Sequence, residues 1–159
     1  MTRNNVTRML DQRKVPYTAF ELPIEHLGAG ETARLLAVPL EQVFKTIVVR
    51  RAGRGKTILA VVPGTGDVDL KALARTVGEK KVYLPTQQQA ESLTGLLAGG
   101  ISPLALLHRG FQVVIDSSAR NFEEIHISGG QRGLNIRLSV KDLIRLTNAR
   151  LASISRRSL

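Results

Sequence analysis

Lys45 stands at the start of an apolar run, Phe44-Lys45-Thr46-Ile47-Val48-Val49, that reads as a β-strand. Alternation puts Lys45 on the same face as Ile47 and Val49. Lysine on an inward face is rare without a partner or a task. An ammonium there could hold a carbonyl oxygen, a ribose hydroxyl or a phosphate. A lysine snorkelling at a strand end fits the same pattern. Two glycine clusters, Gly99-Gly100-Ile101-Ser102-Pro103 and Ser128-Gly129-Gly130, lack side chains where backbone could approach a ligand. They could present N–H groups to an oxyanion or acyl oxygen. Tight turns explain them equally well. Neither cluster has the Gly-Lys-Ser/Thr ending or the GxGxxG pattern of a phosphate-binding loop.

The remaining chemistry is sparse. There is no cysteine, which excludes disulfides, thiolate nucleophiles and Cys-ligated metals. His26, His108 and His126 do not pair at metal-ligand spacing. His126 lies between Ile125 and Ile127 on an alternating strand and reads as a partly exposed or hydrogen-bonded histidine. Asp67 and Asp69 read as a carboxylate pair or, more simply, as acids at a helix start. Asp116 ends an apolar strand, as a site residue or a turn acid. No Ser-His-Asp set is visible.

These side chains sit in 159 residues with 23 Lys+Arg against 13 Asp+Glu, a net charge of +10. Such a balance favours a polyanionic partner, nucleic acid or an anionic surface. Arg50, Arg51, Arg54 and Lys56 cluster on one expected hairpin tip, and Arg145, Arg150, Arg156 and Arg157 lie near the C-terminus. These groups suit phosphates without reading sequence. Aromatics make up only 4%, too few for a base-stacking platform. A polar start, Met1-Thr-Arg-Asn-Asn, and apolar runs of strand length only predict a soluble, cytoplasmic chain with no membrane span.

The elements that must position these residues are short. Apolar spacing predicts a helix over Asn4–Arg13, then a strand over Tyr17–Leu22, a loop over Glu25–Gly30 and a helix over Glu31–Ala37. Pro39 starts a brief helix over Leu40–Val43. Phe44–Arg51 and Thr57–Val62 form a hairpin across Arg51-Ala-Gly-Arg-Gly55. Pro63–Asp67 reads as a loop. Asp69 caps a helix to Val77 that Gly78 ends. A strand over Lys81–Leu84 and a Thr86-capped helix to Leu93 follow. Val113–Asp116 is a strand, and Ile125–Ser128 pairs with Leu134–Leu138. A last helix starts at Ser139 with Asp142 placed as in a capping box. The basic tail, Ser153–Leu159, reads as frayed. Without regular βαβ alternation, the expectation is a single α/β domain over 1–159 of mixed α+β type. Its sheet would be largely antiparallel, or a partial barrel, flanked by short helices.

Several segments together carry a resemblance. They are Gln42-Val-Phe-Lys45-Thr46, Val68-Asp69-Leu70-Lys71-Ala72-Leu73-Ala74, Thr94-Gly95, Gly99-Gly100-Ile101-Ser102-Pro103-Leu104, Val114-Ile115-Asp116 and Ser128-Gly129-Gly130-Gln131-Arg132-Gly133-Leu134. In order and spacing the chain resembles the YbaK/EbsC family of aminoacyl-tRNA deacylases. The resemblance implies a domain related to the editing insertion of prolyl-tRNA synthetases, acting on mischarged tRNA, Cys-tRNA(Pro) foremost. It makes Lys45 the catalytic residue. Thr46, Gly99, Gly100, Ile101, Ser102, Pro103, Ser128, Gly129, Gly130 and Asn135 become substrate-binding positions. It implies no cofactor and no metal, tRNA as partner, and prolyl-tRNA synthetase as a candidate partner. In cysteine-specific relatives the substrate thiolate attacks its own carbonyl. Two positions depart from the pattern. Asn135 stands where relatives have aspartate, and an aromatic expected near the end of the first strand falls on Phe20 or Leu22. The loop Glu25–Gly30 is also short. A deacylase for alanyl or seryl groups, or a non-catalytic tRNA- or synthetase-binding module of the same fold, is the alternative.

Overall fold

The computed structural model describes residues 3–25 and 27–157. Its centre is β3 (Ile58–Pro63), whose six residues are all buried. A strand buried on both faces needs apolar cover on each side, and ILAVVP supplies it. β3 pairs antiparallel with β2 (Phe44–Arg51) on one side and parallel with β6 (Gln112–Asp116) on the other. β5 (Val82–Tyr83) and β9 (Arg150–Ala152) extend this sheet to the order β5-β2-β3-β6-β9. A second sheet has the order β1-β8-β7, from Tyr17–Glu21, Leu134–Ser139 and Glu124–Ser128. A single parallel bridge, Val43 to His126, joins β7 to the start of β2. The fold is mixed α+β and largely antiparallel, and the described strands do not close into a barrel.

The alternation of β3 divides the interior in two. Leu59 and Val61 face one core with Leu10 of α1 (Asn5–Gln12), Ile127, Ile136 and Leu143 of α5 (Val140–Thr147). Ile58, Ala60 and Val62 face a second core with Leu73 of α3 (Leu70–Val77), Val68 and Ile154. Helix ends follow the caps the sequence supplies. Asp69, Thr86 and Ser139 each accept a backbone N–H three residues on, and Gly78 and Gly95 close α3 and α4 (Gln87–Thr94) in the left-handed conformation.

Four expectations need correction. The second helix, α2 (Ala29–Leu36), begins two residues before Glu31, which lies within its first turn and pairs with Arg34. The loop over Pro63–Asp67 contains the start of β4 (Gly66–Val68). The tail is not frayed over its described part, because β10 (Ser155–Arg157) pairs antiparallel with β4. Arg51 does not belong to an exposed basic tip. Its guanidinium is buried against Glu79, the Val77 and Lys56 carbonyls and Gln112.

Candidate active site

A largely apolar cavity of about 410 Å³ opens between the start of β2, residues 22–25 and 27–29, the start of α4, and the two glycine turns. Six of the expected positions line it: Lys45, Thr46, Gly99, Ile101, Ser128 and Asn135. Strand alternation sends Lys45 toward β4, where its Nζ lies 3.4 Å from Asp67 Oδ1. The side chain keeps 34% of its surface exposed, so the ammonium is neither solvated freely nor locked in a buried pair. Asp67 is thus the counter-ion of Lys45, while Asp69 caps α3. The Thr46 hydroxyl is buried with no hydrogen-bond partner among the described residues.

The other five expected positions, Gly100, Ser102, Pro103, Gly129 and Gly130, build the turns without lining the cavity. A Cβ on Gly129 would sit 2.6 Å from Leu134 Cγ, and one on Gly100 would meet the Gln131 backbone at 3.0 Å. Gly100 thus lets the two turns touch, and Gly129 lets its own hairpin close. Ser128 Oγ donates to the Gly99 carbonyl at 3.2 Å, and Arg132 Nε donates to the Ala98 carbonyl at 2.6 Å. Ser102 is buried and caps a short 3-10 helix, Pro103–Ala105, with Pro103 at its first position. Three of the expected oxyanion donors are already used. The N–H of Gly100 donates to Leu97 O, that of Gly129 to Leu134 O, and that of Gly130 to Ser128 Oγ. The amides of Gly99 and Ile101 have no acceptor among the described residues.

The family model of the aminoacyl-tRNA editing domain matches residues 27–146, from the Lys45 wall of the cavity through both glycine turns and Asn135. The chain belongs to the aminoacyl-tRNA editing domain family. It is 34% identical over 155 residues to EbsC of Enterococcus faecalis, whose name carries a provisional Cys-tRNA(Pro)/Cys-tRNA(Cys) deacylase assignment, covering 96% of this chain and 93% of that one. It is 27% identical over 139 residues to the multifunctional Ser/Thr-tRNA deacylase ProXp-y of Escherichia coli K12, covering 84% and 83%. Two solved structures share the fold. One is the hypothetical protein APE2540 (TM-score 0.87, 23% identity, 96% and 100% covered). The other is provisionally described as a trans-editing enzyme for prolyl tRNA synthetase (TM-score 0.78, 23% identity, 98% and 99% covered).

Within this editing domain the two candidate first-strand positions are placed differently. Leu22 lines the cavity, whereas Phe20 stands opposite Asn135 in the β1–β8 ladder and packs on the His126 ring at 5.5 Å. His126 is not partly exposed. It is 1% exposed, and its Nδ1 lies 2.8 Å from Asn135 Oδ1. His108 is on the surface beside Arg13, and His26 lies outside the described residues. No group of three or more metal-ligating side chains occurs among the described residues. Among the described residues no helix is long and apolar enough to cross a membrane. Asp116 is a buried structural acid rather than a site residue, accepting from Ser118, Ile154 and Ser155.

Burial holds the His126 imidazole below its ordinary pKa. Arg137 pushes the same way, and Asn135 and Glu124 oppose it. The unfolded chain therefore binds a proton that the folded site resists. This group leaves stability untouched above about pH 6.5 and lowers it as pH falls from there toward the depressed folded value. Urea unfolding of wild type and His126→Leu across about pH 5 to 7.5 checks this. The wild-type midpoint should fall more steeply in acid, and parallel profiles would remove His126 as the cause.

Proposed function

We propose that this editing-domain protein deacylates mischarged tRNA in trans, with Cys-tRNA(Pro) as its principal substrate. The observation that carries the reading is Lys45: one ammonium, loosely held by Asp67, on the wall of an apolar cavity. No cysteine exists in the chain. A site so built works by positioning the ester and stabilising developing charge. Lys45 and the unengaged amides of Gly99 and Ile101 are suited to the ester oxygen as it becomes negative.

In the thiol-assisted route the substrate sulfur loses its proton and bonds to its own carbonyl carbon. The carbon–oxygen bond to the terminal ribose breaks, and the ribose oxygen takes a proton. The products are a cyclic thioester and free tRNA, with no outside nucleophile. The 34% identity to EbsC supports cysteine as the acyl group. The second reading, water-driven removal of a seryl group, is favoured by the similarity to a Ser/Thr-tRNA deacylase.

Cysteinyl-tRNA(Pro) with its thiol methylated separates the two routes. Self-attack predicts that the methylated ester decays at the buffer rate while the free thiol ester is cleared. Equal clearance of both would establish water as the nucleophile. If the protein speeds release from none of the cysteinyl, seryl or alanyl esters, it is a binding module and the proposal fails.

A further inference from the structure

We infer that His126 is a positioning residue that locks the Asn135 carboxamide so that its N–H2, not its oxygen, faces the cavity. The wall at Asn135 then recognises a hydrogen-bond acceptor on the acyl group. The inference rests on the cavity being the acyl pocket, and it assigns a part to His126, which stands behind the lining residue Asn135.

The geometry comes from strand pairing. In the β7–β8 hairpin Ser128 stands opposite Asn135 and His126 opposite Arg137. His126 and Asn135 are therefore diagonal neighbours on one face of the sheet. Both are almost wholly buried, at 1% and 5% exposure, yet Asn135 lines the cavity. His126 Nδ1 and Asn135 Oδ1 are 2.8 Å apart, while His126 Nε2 is buried with no partner among the described residues. The Asn135 amide nitrogen has no acceptor among the described residues.

The orphaned Nε2 decides where the proton sits. A neutral ring carries one N–H. Placed on Nε2, it would be a buried donor without an acceptor, and Nδ1 would turn a lone pair toward the Asn135 oxygen. A flipped amide relieves the second problem but not the first. Placed on Nδ1, the proton donates to Asn135 Oδ1, and only a lone pair is left unpartnered at Nε2. Buried orphan acceptors are tolerated better than buried orphan N–H groups. A doubly protonated ring restores the orphan N–H and adds a charge that burial and Arg137 both oppose. Glu124 pulls the other way from the same strand, and the Arg137 guanidinium sits over Phe20 at 5.4 Å with Glu124 3.5 Å from its Nε. With Oδ1 held by the ring, the Asn135 amide nitrogen is left for a ligand.

Long-range proton–nitrogen NMR of the labelled wild type near pH 7 reads the ring directly. A neutral His126 protonated at Nδ1 is expected, and protonation at Nε2 or at both nitrogens overturns the inference. This arm does not depend on deacylation, so its failure is distinct from failure of the proposed activity. The kinetic arm compares His126→Leu with His126→Asn, whose amide N–H can replace the Nδ1 donor. On cysteinyl-tRNA(Pro), His126→Leu should lose roughly tenfold in kcat/KM, the scale of one hydrogen bond. His126→Asn should stay within about threefold of wild type. Equal activities in all three, or equal losses in both variants, overturn the inference. If His126→Leu does not fold, Asn135→Leu removes the donor on the same face and should lose a similar factor, and wild-type activity in that variant overturns the inference. Losses confined to cysteinyl and seryl esters place the acceptor on the side chain, and equal losses on the alanyl ester place it on the carbonyl.

Discussion

Lys45→Ala is expected to slow single-turnover deacylation of Cys-tRNA(Pro) by about 10²–10³ while tRNA affinity stays nearly unchanged, because removing one preorganised charge stabiliser has that scale. The described lining of the cavity carries three charged residues, Glu25, Lys45 and Arg132, and Arg132 Nε is spent on the Ala98 carbonyl. That bond fixes the Arg132 guanidinium against the Gly99 turn, whereas the Lys45 ammonium is held only by a loose pair and can follow charge onto the ester oxygen. Asp67 lies 3.4 Å from the ammonium, a loose pair that leaves the side chain one-third exposed. Bulk affinity draws on a surface of net charge +10, from which one lysine subtracts little. Rapid-quench measurement of ester release beside equilibrium binding at several salt concentrations tests both halves. A large affinity loss with the chemical step intact would move Lys45 from the reacting centre to the tRNA backbone.

How far such a site can be read in advance depends on the length of the elements that build it. Phe44–Arg51 is eight residues of β-branched and apolar side chains, and its expected bounds match the strand. That is why Lys45 stood out on its inward face. β4, β9 and β10 are three residues each, too short for any period to show, and they exist because neighbours pair with them. The partner of Lys45 was hidden with them, since Asp67 reaches it only through β4. The glycine turns were visible, but their part was not. Gly129 is required by Leu134 and Ile136 pressing on its Cα, and its N–H is consumed inside the hairpin. The His126–Asn135 contact follows from hairpin register. That register depends on how Gly129–Gly133 turns, and residue types alone leave this open.

Asp116→Ala should be the most damaging change to stability outside the apolar core, costing about 3 kcal/mol, and it should release the C-terminal strand first. Its carboxylate is 3% exposed and accepts from the N–H groups of Ser118, Ile154 and Ser155 and from the Ser118 hydroxyl. Hydrogen bonds to a charged group contribute roughly 1.5–3 kcal/mol each, and donors that regain water on release recover part of this. With the carboxylate gone, Ile154 keeps only its carbonyl bond to Asp69 N–H and its place in the second core. Three residue pairs then hold β10 to β4. For a chain of this size the expected fall in Tm is about 6–12 °C. Hydrogen exchange should show Ser155–Arg157 losing protection well before β3. Asp67 lies on the strand that β10 covers, opposite Arg156, so freeing the tail also loosens the counter-ion of Lys45. Deacylation by Asp116→Ala should therefore weaken at temperatures where the fold is still intact. Activity that tracks global unfolding alone would show that β10 holds nothing at the site.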